Sequence, residues 1–377
     1  MPDPFAQALA HLARQEGAAA ELAFRAALTA GADRAQCLQG LGKALYDQHR
    51  FDEAEAAFGE AEGCDPVPAL GRYHRGLCRL VRGDFAAGWP LWEARLEVPA
   101  FGHLRVPIPR WRGEPLRGRR LLVLAEQGYG DVIQFARFLP ALVRATGAHV
   151  TFGCGDPLQR LLAPFARCGG FAMAAGRIHP GDHHAHTYIC SLARTIEGRP
   201  ADLPGPVPYL EPDPSLTLSW LARLPEARLR VGLCWAGRPG HPQDAARSLD
   251  PALLTALAAL PDVALIGLTR GAAPPAAGLL RADWGPEIGD FADSAAMIAA
   301  LDLVITVDTA IAHLAGALGR PAWVLLPYAP DWRWQLARDD SPWYPSLRLF
   351  RQARPGDWPA VVSQVAAALR DRRPLRY

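Results

Sequence analysis

The chain has 377 residues, half of them hydrophobic, enough for two or three domains with substantial cores. Its formal net charge of +2, from 40 basic and 38 acidic side chains, leaves no global electrostatic footprint for nucleic acid or an anionic membrane surface. No charged-then-apolar leader opens the chain and no apolar run reaches the roughly 18–20 residues of a membrane span, so a soluble cytoplasmic protein is expected. Seven cysteines (Cys37, Cys64, Cys78, Cys154, Cys168, Cys190, Cys234), widely spaced and without a CxxC pair, favour a reduced compartment and disfavour a zinc site.

The first hundred residues repeat with a period of 34. Phe24 superimposes on Phe58 and Trp92, Leu12 on Tyr46 and Leu80, Gly17 on Phe51 and Phe85, and Ala20 on Ala54 and Gly88. A unit of that length, helix-turn-helix in character, with small residues where helices touch and aromatics in the groove, matches the tetratricopeptide pattern. Its best copy is LGKALYDQHRFDEAEAAFGEAEGCDP, closing on Asp65-Pro66. A generic helical bundle in accidental register is the alternative. Such arrays bind other proteins or dock on a neighbouring domain, and three units bury little alone. Pro99, Pro107 and Pro109 then mark a linker leading to Trp111.

Beyond the linker the pattern turns to alternating strand and helix. Strands are predicted at 119–125, 149–154 and 186–190 in one α/β half, and at 230–237, 263–269 and 302–308 in a second, with AWVLLP after them. A proline-rich stretch (Pro204, Pro206, Pro208, Pro212, Pro214) separates the halves, and PAVVSQVAAALRD reads as a closing amphipathic helix. Two parallel-sheet domains joined in this way imply a cleft at their strand ends. The expected division is 1–100 for the repeats, 101–215 and 216–355 for the two α/β domains, and 356–377 for a helix and tail packing back across the cleft.

Four segments carry chemistry. LVITVDTAIAHLAGALGRP, Leu303 to Pro321, is a strand, a turn and a helix start, where unpaired amides attract phosphate; an ordinary βα unit is the bland reading. EQGYGDVIQFARFLP follows the first strand and puts Asp131 at the next helix start, either as a cap or as a general base. WAGRPGHPQDAARSL offers Gly237, Arg238, Gly240, His241, Asp244, Arg247 and Ser248, with Arg247 either neutralising a diphosphate or solvated. APDWRWQLARDDSPWYP groups Trp332, Trp334, Trp343 and Tyr344 around Arg333, for core or interdomain contact or for stacking on a base or sugar. The clustered histidines of GDHHAHTYIC flank a strand and read as structural; no DxD pair or other metal set is apparent.

In combination, the GD turn, the arginine loop and DTAIAHLAGALGRP resemble the heptosyltransferase-like glycosyltransferases of family 9. EQGYGDVIQFARF, WAGRPGHPQDAARSL, VDTAIAHLAGALGRPAWVLLPYAPDWRW and SPWYPSLRLFRQ are more closely similar to bacterial tetratricopeptide-repeat proteins that carry such a module, over roughly residues 30 to 370. The resemblance implies an α/β fold of GT-B type, two Rossmann-like domains facing a cleft and preceded by an all-α repeat region. It implies a nucleotide sugar held mainly by the carboxy-terminal half, at Trp235, Gly237, Arg247, Asp308, Thr309, Ala310 and His313. Asp131 matches the proposed base, and Glu126, Gln127, Gly128, Gly130, Trp332 and Trp334 are expected on the acceptor side or in the cleft. Two departures stand out: Arg247 occupies a place where heptosyltransferases often have lysine, and Ala310 one where many have glycine.

The expected reaction is inverting glycosyl transfer from a nucleotide diphospho-sugar, a substrate, to a hydroxyl, with no cofactor and no metal. The repeats favour a protein acceptor, flagellin or another surface protein. The alternatives are a lipopolysaccharide-core heptosyltransferase and an inactive scaffold of the same fold working through its repeats.

Overall fold

Helices alternate along the amino-terminal part: α1 (Pro4–Ala13), α2 (Gly17–Thr29), α3 (Arg34–Asp47), α4 (Phe51–Cys64), α5 (Ala69–Val81) and α6 (Phe85–Trp92). Each packs on the next in sequence. The first residues of α2, α4 and α6, namely Gly17, Phe51 and Phe85, are spaced 34 apart, so the structural period is that of the sequence. Packing shows why small residues recur. A Cβ on Gly42 would stand 2.5 Å from Phe58 Cε1, and one on Gly76, 34 positions on, 2.8 Å from the Trp92 nitrogen. The computed structural model describes residues 3–64, 69–103, 105–174, 178–195, 207–240, 243–272 and 275–371. Asp65-Pro66, Pro204, Pro206 and His241 lie outside these.

The helices share one compact unit, Met1–Leu104, with a distant segment, Tyr328–Ala337. That segment packs aromatic side chains against the helices. Trp332 stands edge-on to Trp89 and Trp92 at centroid distances of 5.3 and 5.5 Å, and Tyr328 stacks on His49 at 4.2 Å.

His74, on α5, is half-buried against Phe58 and donates from Nδ1 to Gln39 Oε1 at 2.9 Å. Burial, aided by Lys43, pushes its imidazole down to about 4. The unfolded chain, titrating near 6.5, takes up the proton first, so stability present at pH 7 is lost as pH falls through 6.5 towards 4. The loss at pH 5 should be about 2 kcal/mol. His74→Gln cannot titrate and should show a correspondingly smaller drop between urea titrations at pH 7 and pH 5; equal drops would mean the imidazole protonates freely in the fold.

The second compact unit comprises Arg105–Pro327 and Arg338–Tyr377. It contains two sheets, all of whose ladders are parallel. The first is built from β1 (Arg120–Leu124), β2 (His149–Gly153), β3 (Ala172–Met173) and β4 (Ala185–Tyr188) in the order β3-β2-β1-β4. Around it run α7 (Tyr129–Ala136), α8 (Leu139–Thr146), α9 (Asp156–Gly169) and α10 (Leu192–Thr195). The second is built from β5 (Leu229–Cys234), β6 (Val263–Gly267), β7 (Ala282–Asp283), β8 (Leu303–Val307), β9 (Ala322–Leu326) and β10 (Leu347–Arg351) in the order β10-β9-β8-β5-β6-β7. Its helices are α11 (Pro214–Leu221), α12 (Asp244–Arg247), α13 (Thr255–Ala258), α14 (Phe291–Ala300), α15 (Ala310–Ala317) and α16 (Trp358–Asp371).

Leu229, Val231 and Leu233 of β5, with Ile305 and Val307 of β8, form one core with Trp358, Val361, Val362, Val365 and Leu369 of α16. The closing helix lays its apolar stripe on the second sheet, and the tail after it, residues 372–377, lies outside the described residues. That stripe would otherwise face water. Strand β10, inside SPWYPSLRLFRQ, was not among the predicted strands. Among the described residues no helix is long and apolar enough to cross a membrane.

Candidate active site

In a parallel sheet the strand order reverses at one point, and the loops leaving the carboxyl ends of the two strands there diverge and leave a crevice. In the first sheet that point lies between β1 and β4, in the second between β5 and β8. Three of the four loops at these points, those after β1, β5 and β8, contain candidate residues. Glu126 follows β1; it is buried, and its Oε1 accepts from the Cys190 amide, after β4, at 3.2 Å. Gln127 is exposed and takes a left-handed backbone (φ 61°), a strained conformation for a residue with a Cβ.

Gly128 caps α7, and its amide donates to Asp131 Oδ2 at 2.8 Å. Asp131 is thus not the first cap residue but the third residue of the helix, reaching back to satisfy an orphan amide. Gly130, between them, faces the second sheet. A Cβ there would lie 2.8 Å from His313 Cδ2, 3.5 Å from His313 Nε2 and 3.4 Å from Ala310 Cα. Glycine is what lets α7 approach the start of α15, because any side chain would meet the buried imidazole and the helix backbone.

At the second switch point Thr309 caps α15, its hydroxyl accepting from the Ile311 amide at 3.3 Å and lying 3.1 Å from Thr306 Oγ1. His313 sits one turn on, buried, with Nδ1 3.1 Å from the Tyr344 hydroxyl. The Asp308 carbonyl accepts from Arg247 Nη1 at 2.9 Å, so the arginine loop is tied to the turn after β8. Arg247 Nε has no hydrogen-bond partner and stands 3.7 Å from Asp244 Oδ1. Ser248 organises this loop, accepting from the Gly237 amide at 3.1 Å and donating to Asp244 at 3.0 Å.

The two halves are braced beside this meeting. The Tyr209 amide donates to the Ala317 carbonyl at 3.0 Å, while its hydroxyl donates to the Ile133 carbonyl at 2.9 Å, so the segment between the sheets grips α15 and α7 together. Arg160 on α9 pairs with Asp290, the cap of α14, at 2.7 Å, and also with Asp293.

Three expected site residues lie elsewhere. Trp235 is buried in the second sheet's core, its amide held by Thr269 Oγ1 at 3.1 Å, because the residue after β5 still alternates inward. Trp332 and Trp334 are buried and belong to the compact unit of the helices, where Trp332 gains by burial beside Trp89 and Trp92. Of the clustered histidines, His184 Nδ1 accepts from the Arg120 amide of β1 at 3.1 Å, and His186 Nδ1 donates to the Ile108 carbonyl at 3.0 Å, tying β4 to the segment before Trp111. Among the described residues no group of three or more His, Cys, Asp or Glu is placed to hold a metal ion. The sequence names Tyr344 only within the aromatic cluster, and Arg137 and Tyr209 not at all, since nothing in their spacing joins them to His313.

Residues 289–367, from the cap of α14 into α16, match the model of Glycosyltransferase family 9 (heptosyltransferase). The matched stretch includes Asp308 to His313 and Tyr344 but neither Asp131 nor Arg247. Over 359 residues it is 30% identical to Protein FlbA of Caulobacter vibrioides, covering 85% of this chain and 59% of that protein. This chain thus spans about three fifths of that relative's length. Among solved structures it is similar to the ADP-heptose lps heptosyltransferase II of E. coli (14% identity, TM-score 0.48, 67% of this chain and all of that one). It is also similar to a family 9 glycosyl transferase of Veillonella parvula (12%, TM-score 0.45, 68% and 98%). Both likenesses are too shallow to decide the fold, which rests on the strand orders above.

Proposed function

We propose, from the family 9 segment and the crevice it borders, that this protein is a metal-independent inverting glycosyltransferase of GT-B type, transferring a sugar from a nucleotide diphospho-sugar to a hydroxyl of a protein acceptor. The observation that carries the reading is the close approach of the Gly130–Asp131 turn to His313 and Ala310, at the switch points of two parallel sheets. On one side a carboxylate stands ready to take a hydroxyl proton. On the other, the α15 start and a loop arginine offer donors to the departing diphosphate. Gly237 and Asp308 shape the donor side through their backbone; Glu126, Gln127, Gly128 and Gly130 form the acceptor side. The helix pairs spaced 34 apart are tetratricopeptide repeats in this reading, and they recruit the protein acceptor.

Thermal shift against a panel of ADP-, UDP- and GDP-sugars tests the donor assignment. A ligand at one hundred times its dissociation constant raises stability by about 2.7 kcal/mol. Arg247→Ala should weaken binding of the selected donor roughly 10–100-fold, the worth of a charge-assisted contact, with Arg247→Lys retaining most of it. Parental affinity in the alanine variant would place the diphosphate elsewhere.

A further inference from the structure

His313 is held from behind by a buried stack that the reaction outlined above does not require. Tyr344 is fully buried, its ring lying over Gly316, where a Cβ would come within 2.3 Å of Tyr344 Cγ. Gly316 lies one turn beyond His313 on α15, so a single small residue lets Tyr344 settle on the helix and present its hydroxyl to His313 Nδ1 at 3.1 Å. Behind Tyr344 is a buried cation. Arg137, at the end of α7, places its guanidinium 4.9 Å from the Tyr344 ring centroid and 4.6 Å from that of Tyr209. Its Nη1 donates to the Trp343 carbonyl at 3.1 Å, while Nε and Nη2 are buried without hydrogen-bond partners.

A guanidinium against a phenol ring draws electron density from it, which makes the hydroxyl a better donor and a poorer acceptor. Between a phenol and an imidazole nitrogen that bias decides who donates. If the hydroxyl donates to Nδ1, the neutral ring must carry its proton on Nε2. Nε2 lies on the edge of the ring that faces Gly130.

We propose that Tyr344 is a positioning residue, biased by Arg137, whose hydroxyl donates to His313 Nδ1 and so holds the imidazole as the Nε2–H tautomer, a fixed donor to the diphosphate of the sugar nucleotide. The diphosphate rests on the donor-site reading above; the tautomer does not. A purely structural role for Tyr344, packing over Gly316, would leave the tautomer indifferent to the hydroxyl.

The test is nitrogen NMR of the full chain labelled at histidine, which distinguishes a protonated ring nitrogen from a bare one, combined with calorimetric titration by ADP, UDP and GDP. The parent should show His313 protonated at Nε2 and bare at Nδ1. Tyr344→Phe keeps the ring over Gly316 and should convert His313 to a mixture of tautomers. It should also weaken whichever nucleoside diphosphate binds by about tenfold, the worth of one charge-assisted hydrogen bond. In a His313→Gln background, where no tautomer exists, Tyr344→Phe should change that affinity by far less. A parent protonated at Nδ1 overturns the proposal without any variant. A Tyr344→Phe variant with unchanged ring nitrogens overturns it as well, and so does a changed tautomer with parental affinity. A parent that binds none of the three nucleotides removes the donor-site reading, and the ring nitrogens still decide the role of Tyr344.

Discussion

Asp131→Asn is expected to keep the fold and the donor affinity while transfer falls by roughly 10²–10⁴, the usual worth of a general base. The change preserves one structural bond of Asp131: Oδ2 accepts from the Gly128 amide at 2.8 Å, and an asparagine oxygen can accept the same bond. What asparagine cannot do is take a proton from an acceptor hydroxyl. Thermal unfolding, donor titration and single-turnover transfer on one preparation give the answer. Intact folding and donor binding with lost transfer support the base. Parental transfer would leave Asp131 as a helix-start residue only, and a large loss of stability would mean that the charge itself, favoured by the amino-terminal dipole of α7, holds the turn.

Trp332→Ala should destabilise the protein by about 3–5 kcal/mol, the cost of emptying a buried indole site. Trp332 is 2% exposed, edge-on to Trp89 and Trp92, with the Arg333 guanidinium 4.3 Å from its ring centroid. Urea unfolding followed by tryptophan fluorescence measures the loss. An acceptor-lining residue would behave in the opposite way, with stability near parental and transfer impaired, so the variant distinguishes a core role from the cleft role expected from sequence. The same packing bears on how the helical region is tested. Removing residues 1–104 would uncover Tyr328–Ala337, so acceptor recruitment is better probed by charge reversal at exposed Arg34 or Glu60 than by truncation.

The strand–turn–helix order at 303–321 was legible because β-branched residues in succession admit little but a buried strand, and because threonine before a small-residue run is a capping signal. The period of 34 was legible for a similar reason: packing helix pairs against each other demands small and large residues at fixed offsets, as Gly42 and Phe58 display. Patterns within one element, or between adjacent ones, survive in the sequence because local geometry imposes them.

What joins elements far apart leaves no such mark. No periodicity announces that ten residues after β9 pack against helices more than two hundred positions earlier, or that Trp235 turns inward while Arg247 reaches the Asp308 carbonyl. Nor does spacing connect Arg137, Tyr344 and His313, which come together only because α7 meets α15 at Gly130 and Tyr344 settles on α15 at Gly316. The sequence by itself determined the main strands of both sheets and the helix starts that follow them, though not the strand β10, since those follow from backbone sterics and hydrogen-bond capacity. Tertiary structure alone decided which side chains from separate elements share a site, because that depends on the register in which helices and sheets close-pack, and close packing is a property of the whole core.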